Sequence, residues 1–195
     1  MSFPHSLTPP SHFTHLPWCA SLLSDASWTI VPTSSRTPKP STEDSFFAET
    51  LQSPRTIRGC LPQHTAPDPT SDPPIREVRI LLDLGDGLNG YPHTAHGGLV
   101  ATLLDEAVGL LLAINMRFRP KEARSKETET GINFFTAYLN ISYKAPLMTP
   151  GVVLARAGVE KVEGRKRWFW ARLEDGRGLV FASAEALFVE ARPKL

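Results

Sequence analysis

The sequence predicts an α+β fold: an antiparallel sheet wrapped around one long central helix, preceded by an irregular, Pro-rich N-terminal arm. Three observations carry this expectation. The apolar run from Leu99 to Met116 is far too long for a strand. Four segments after it have the length and composition of strands, with turn dipeptides between the later ones. Thirteen of the 18 prolines lie in residues 1–75, and five in the remaining 120 residues.

The arm comes first. Its prolines forbid long regular elements. Trp18, Leu22, Leu23, Trp28 and Ile30 are nevertheless too apolar for a solvated tail. Ser41-Thr42-Glu43-Asp44 ahead of Phe46, Phe47 and Leu51 reads as a capped short helix. The expected division is therefore an arm with short helices over residues 1–75, draped on the domain or on a partner subunit, and a folded domain over 76–195.

The domain opens with a strand in which Val78, Ile80, Leu82 and Leu84 alternate with Arg79, Leu81 and Asp83. Gly85 to His93 is a turn-rich loop. The long helix follows, from about Gly98 to Asn115. Arg117 to Gly131, with five cations and three acids, reads as a solvated connection. Phe135, Ala137, Leu139, Ile141 and Tyr143 then share one face of a strand. Val152–Val162, Arg165–Glu174 and Leu179–Val189 complete the series. Glu163-Gly164 and Asp175-Gly176 mark the hairpin turns between them.

Composition excludes several functions. A formal net charge of +1 gives no general case for nucleic acid. Asp105 and Glu106 interrupt the apolar run, and a charge at mid-bilayer costs roughly 3 kcal/mol, so a core helix is expected rather than a membrane span. No Lys or Arg precedes Arg36, which speaks against a basic targeting segment. Cys19 and Cys60 match no zinc or redox spacing and read as free thiols in a reducing, cytoplasmic setting. No metal or organic cofactor is implied.

Chemistry concentrates in His96-Gly97-Gly98 and the acidic pair Asp105-Glu106. A helix start offers unpaired N–H groups and a partial positive charge, which suit a developing oxyanion. Gly97 and Gly98 let those N–H groups approach a carbonyl without an intervening side chain. Asp105, partly desolvated in an apolar helix, would be a stronger base than usual. This combination suits acyl transfer. Gly97 and Asp105 are about 12 Å apart along the axis, so one helix cannot bring both to one scissile carbon. A single site would have to combine two chains of a symmetric dimer. Blander roles exist for each: helix–sheet packing for the glycines, a structural carboxylate at Asp105, a cap or loop role for His96, and a structural or exposed role for Glu106.

The order strand–His-Gly-Gly–helix–four strands resembles the hotdog-fold acyl-CoA thioesterases of the phenylacetate-pathway and mammalian small type. The resemblance covers about residues 76–190. It rests on His96-Gly97-Gly98 with Asp105 nine residues after the histidine, on Thr136-Ala137-Tyr138-Leu139-Asn140-Ile141-Ser142-Tyr143 followed by Pro146, and on Ala184-Glu185-Ala186-Leu187-Phe188-Val189. The arm looks like an extension of fungal members. The resemblance implies that Asp105 is the catalytic carboxylate, that the Gly97 N–H polarises the thioester carbonyl, and that Thr136 orients water. It implies substrate contacts from Asn89, although that residue is displaced by about one position from the family's asparagine. His96, Gly98 and Glu106 are further candidates for substrate binding.

The expected function is hydrolysis of an acyl thioester, carried on coenzyme A or on a carrier protein, by a homodimer or dimer of dimers. Two alternatives remain at this stage. One is a hotdog dehydratase or hydratase using His96. The other is an acyl-binding accessory protein without turnover. Arg165, Lys166 and Arg167 read as a solvated turn, with coenzyme A phosphates as the alternative, and Trp168 and Trp170 as core or interface.

Overall fold

The computed structural model describes residues 8–119 and 134–191. Nine strands and two α-helices follow in chain order: α1 Pro17–Leu23, β1 Trp28–Ile30, β2 Ile57–Thr65, β3 Glu77–Leu84, β4 Asn89–Tyr91, β5 Thr94–Ala95, α2 Gly97–Met116, β6 Phe134–Tyr143, β7 Gly151–Glu163, β8 Lys166–Glu174 and β9 Val180–Glu190. Seven strands form one antiparallel sheet in the order β1-β2-β3-β7-β8-β9-β6. Helix α2 packs against β3, β6, β7, β8 and β9. This is the hotdog arrangement that the resemblance implies, and α2 lies within a residue of its expected bounds at each end. The charged connection lies largely outside the described residues.

The apolar alternation decides which side of the sheet meets α2. Val78, Ile80, Leu82 and Leu84 join Leu103, Leu104, Ala107, Val108 and Leu111 in the main core. The opposite positions of β3 do not face water. Leu81 joins Phe13, Cys19, Leu61 and Leu154 in a second buried cluster beneath α1. Arg79 and Asp83 are buried there too.

The arm therefore covers the outer face of the sheet, and more. It contributes β1 and β2, so the sheet begins ahead of the expected boundary at residue 76. Strand β2 is buried on both faces and contains Pro62, which hides the period-2 signal of a half-exposed strand. The arm then rounds the sheet edge at β1, and Val31, Phe47 and Leu51 enter the main core beside α2.

Charged side chains hold it in place. Arg79 donates to Gln63 Oε1 at 2.9 Å and to the Leu22 carbonyl, with its guanidinium 4.1 Å from the centre of the Trp28 ring. Asp83 accepts from both His12 and Arg58. Arg36 sends three hydrogen bonds to the carbonyls of Phe47, Leu51 and Ile57, at 2.9, 3.2 and 3.0 Å.

Two local expectations change. The capped helix after Asp44 is one π-type turn, Phe46–Thr50, without a side-chain cap. Thr42 and Asp44 have positive φ, which bars a helical start there. Arg167 is buried rather than solvated, and it donates to the Gly164 and Lys166 carbonyls. Trp168 and Trp170 are only part-buried, and the Trp170 ring lies so close over Gly158 that a Cβ there would clash at 2.4 Å. Cys19 and Cys60 are free, buried thiols.

Candidate active site

The functional candidates fall into three groups along α2. At the helix start, His96 is the N-cap, and its Nδ1 accepts the Gly98 N–H at 2.9 Å. The cap reading of His96 therefore holds, and the Gly98 N–H is engaged inside the chain rather than open to a substrate. The Gly97 N–H has no acceptor among the described residues. Its carbonyl accepts from the Tyr143 hydroxyl at 2.9 Å. Asn89 lies nearby in β4, paired with Ala95, and its side chain accepts from Thr149 Oγ1. That contact turns the Asn89 amide toward the loop before β7.

Two turns further on, Thr136 Oγ1 donates to Asp105 Oδ1 at 3.1 Å. The sheet makes this meeting possible through a bulge. A strict alternation would put Thr136 on the face opposite Leu139 and Ile141. The register shifts between Thr136 and Tyr138, so Thr136, Leu139 and Ile141 all reach the α2 side. The same shift turns Phe135 outward, 68% exposed, against the expected face. Burial raises the Asp105 carboxyl above the ordinary aspartate range, while the Thr136 hydrogen bond opposes that rise. The result is a part-buried carboxylate, more basic than usual, with a hydroxyl fixed beside it.

The third group faces the arm. Glu106 follows Asp105 in sequence and so projects about 100° away around the helix. It accepts a hydrogen bond from Ser35 Oγ. Burial is the main cause that pushes its carboxyl up to about 7. The Ser35 bond and Arg36 pull it down, while Asp44 and Asp105 add to the rise.

One strand thus serves two places on the helix: β6 touches Asp105, near its middle, through Thr136 and Gly97, at its start, through Tyr143. Within one chain, Gly97 and Asp105 remain two turns apart, as their spacing requires. Tyr143 and Ser35 were not singled out from sequence as site residues. Tyr143 looked like one more apolar strand position, and nothing local distinguishes Ser35 from the arm's other serines.

The family model of the thioesterase superfamily matches residues 93–180, from just before His96 to the start of β9. Over that span the chain is similar to the thioesterase superfamily. The matched span holds His96, Gly97, Asp105, Thr136 and Tyr143 together. Among the similar proteins, "Verlamelin biosynthesis protein B" of Lecanicillium sp is 26% identical over 169 residues, covering 76% of this chain and 73% of that protein. "Uncharacterized mitochondrial membrane protein FMP10" of Saccharomyces cerevisiae is 34% identical, covering 63% of this chain and 47% of that protein. "Acyl-coenzyme A thioesterase THEM4" of Mus musculus is 31% identical, covering 58% and 43%. The chain thus spans less than half the length of the last two relatives.

Proposed function

We propose that this protein hydrolyses acyl thioesters, with acyl-coenzyme A as the substrate class to test first. The observation that carries the reading is the Asp105–Thr136 pair: a carboxylate made more basic by burial, hydrogen-bonded to a hydroxyl, in a thioesterase-superfamily domain. Asp105 takes a proton from water as that water attacks the thioester carbonyl. Thr136 orients the attacking group. The carbonyl oxygen becomes an oxyanion and accepts a hydrogen bond from a Gly97 N–H. Collapse breaks the carbon–sulfur bond, and the leaving thiolate takes the proton held by Asp105. With Asp105 as base, the products are a carboxylic acid and a thiol, with no co-reactant beyond water.

The separation of Gly97 from Asp105 supports a homodimeric site in which Asp105 of one chain works with Gly97 of the partner subunit. The engagement of His96 Nδ1 by Gly98 favours hydrolysis over dehydration, because that nitrogen is committed to the cap. Two buried free thiols suit action in a reducing, cytoplasmic compartment.

Release of free thiol from acetyl-, octanoyl-, palmitoyl- and phenylacetyl-CoA tests the activity, and no release from any of them would count against it. Mixing tests the shared site. Asp105→Asn and Gly97→Val homodimers should each be inactive. Refolded together at equal amounts, they should regain about a quarter of wild-type activity, because half the dimers are mixed and each has one intact site. A Cβ at Gly97 meets the Tyr143 ring at an ordinary 3.7 Å, so the first side-chain carbon fits, and circular dichroism of the Gly97→Val homodimer checks that the rest does.

A further inference from the structure

The turn Thr33–Arg36 lies along the C-terminal half of α2. Arg117, just past the helix end, donates to the Pro32 carbonyl at 3.1 Å. Ser35 reaches Glu106, well back along the helix. The turn is rigidly built. Thr33 Oγ1 accepts the Ser35 N–H at 3.3 Å and lies 2.8 Å from the Ser35 hydroxyl, and Arg36 ties the next residue to three carbonyls.

The helix geometry gives this turn a meaning. Taking Asp105 as the origin, Glu106 lies at about 100° around α2, Gly109 at about 40°, Thr102 at about 60° and Ala113 at about 80°. Asp105 marks the side facing β6, and Glu106 marks the side facing the arm. The small residues between them form a floor bounded by β6 on one side and by the arm on the other. That floor is not filled by the chain itself: a Cβ built on Gly109, one turn beyond Asp105, would meet no atom within 4 Å. Open space therefore lies one turn from the carboxylate proposed to act on the thioester.

We propose that the arm turn Thr33–Arg36 is the second wall of the groove that takes the acyl chain, with Glu106 as the positioning residue that holds this wall through Ser35. The proposal rests on the thioesterase reading of Asp105. Glu106 does not touch the reacting atoms. Its part is to fix the distance between the arm and β6 over Gly109, and so the width of acyl group that can lie there. The superfamily match begins at residue 93, so this wall is supplied from outside the matched span.

Binding of ethyl-, octyl- and tetradecyl-CoA thioethers, which cannot be hydrolysed, tests this by calorimetry on the full chain. A buried methylene is worth roughly fourfold in affinity, so the wild type should bind the longer chains more tightly. Gly109→Leu raises the floor, and the tetradecyl-to-ethyl affinity ratio should fall by about tenfold or more. Ser35→Ala frees the wall. It should change the same ratio by about threefold or more and speed amide exchange at residues 33–36. Glu106→Gln keeps an acceptor for Ser35 and should stay close to wild type in both measurements. An unchanged ratio in both Gly109→Leu and Ser35→Ala would overturn the proposal, as would a wild type whose affinity ignores chain length. Normal chain-length-dependent binding without thiol release from acyl-CoA would overturn the hydrolytic reading and leave the groove standing.

Discussion

The two flanks of α2 are built by different means. On the β6 flank, Asp105 meets a threonine delivered by a β-bulge, in a span shared with the superfamily. On the arm flank, Glu106 meets a serine delivered by a proline-rich segment that first crosses the outer face of the sheet. Neighbouring carboxylates on one helix thus have opposite settings. Asp105 is part-buried beside an exposed strand hydroxyl. Glu106 is held among arm residues, with its carboxyl pushed up to about 7. The comparison teaches that position in sequence says little about a carboxylate's job; the element packed against it decides.

The largest test of this contrast concerns turnover. Asp105→Asn preserves size and hydrogen bonding but removes the base, and kcat should fall about a hundredfold or more with KM near wild type. Glu106→Gln should change kcat for acetyl-CoA by far less. Equal losses in the two variants would break the comparison.

A second test concerns what holds the arm flank. Arg36→Met removes a donor from three buried carbonyls, of which that of Leu51 keeps the Ile57 N–H, and unfolding free energy should fall by roughly 2–3 kcal/mol in urea denaturation. A variant as stable as wild type would mean that the arm's anchoring lies elsewhere.

The smallest effect is a pH slope. The folded-state value for Glu106, about 7, lies above the ordinary 4.5. Between those values the folded chain keeps a proton that the unfolded chain releases. Stability therefore falls as pH rises through that window and levels off above it. Asp105, also raised by burial, adds a slope of the same sign. Glu106→Gln should flatten the change in denaturation midpoint between pH 5 and pH 8. Identical slopes in wild type and variant would remove the special setting of Glu106.

Much of this was legible in the sequence. Helix α2 and strands β7 to β9 announced themselves through apolar periodicity and Glu163-Gly164 and Asp175-Gly176 turns, all local signals. A cap was among the roles open to His96, and the part given to Thr136 came from the family resemblance rather than from its local sequence. What escaped depends on distant parts of the chain. Strand β2 lacks a half-exposed pattern because α1 covers its outer side. Phe135 and Thr136 exchange faces because of a bulge that no residue type marks. Ser35 acquires its role only when the arm has rounded the sheet edge. The same finding alters how the arm should be probed: deleting residues 1–70 would remove β2 and uncover Leu81, not merely open a groove.

The path of the arm also sets an order of assembly. Residues that leave the ribosome early find their places late. Phe13 waits for Leu81 and Leu154, and Ser35 waits for Glu106. Until β7 has been made, Trp18, Leu22 and Phe47 have no complete surface to settle on. The arm's apolar side chains therefore stay without their full surface until β7 has left the ribosome.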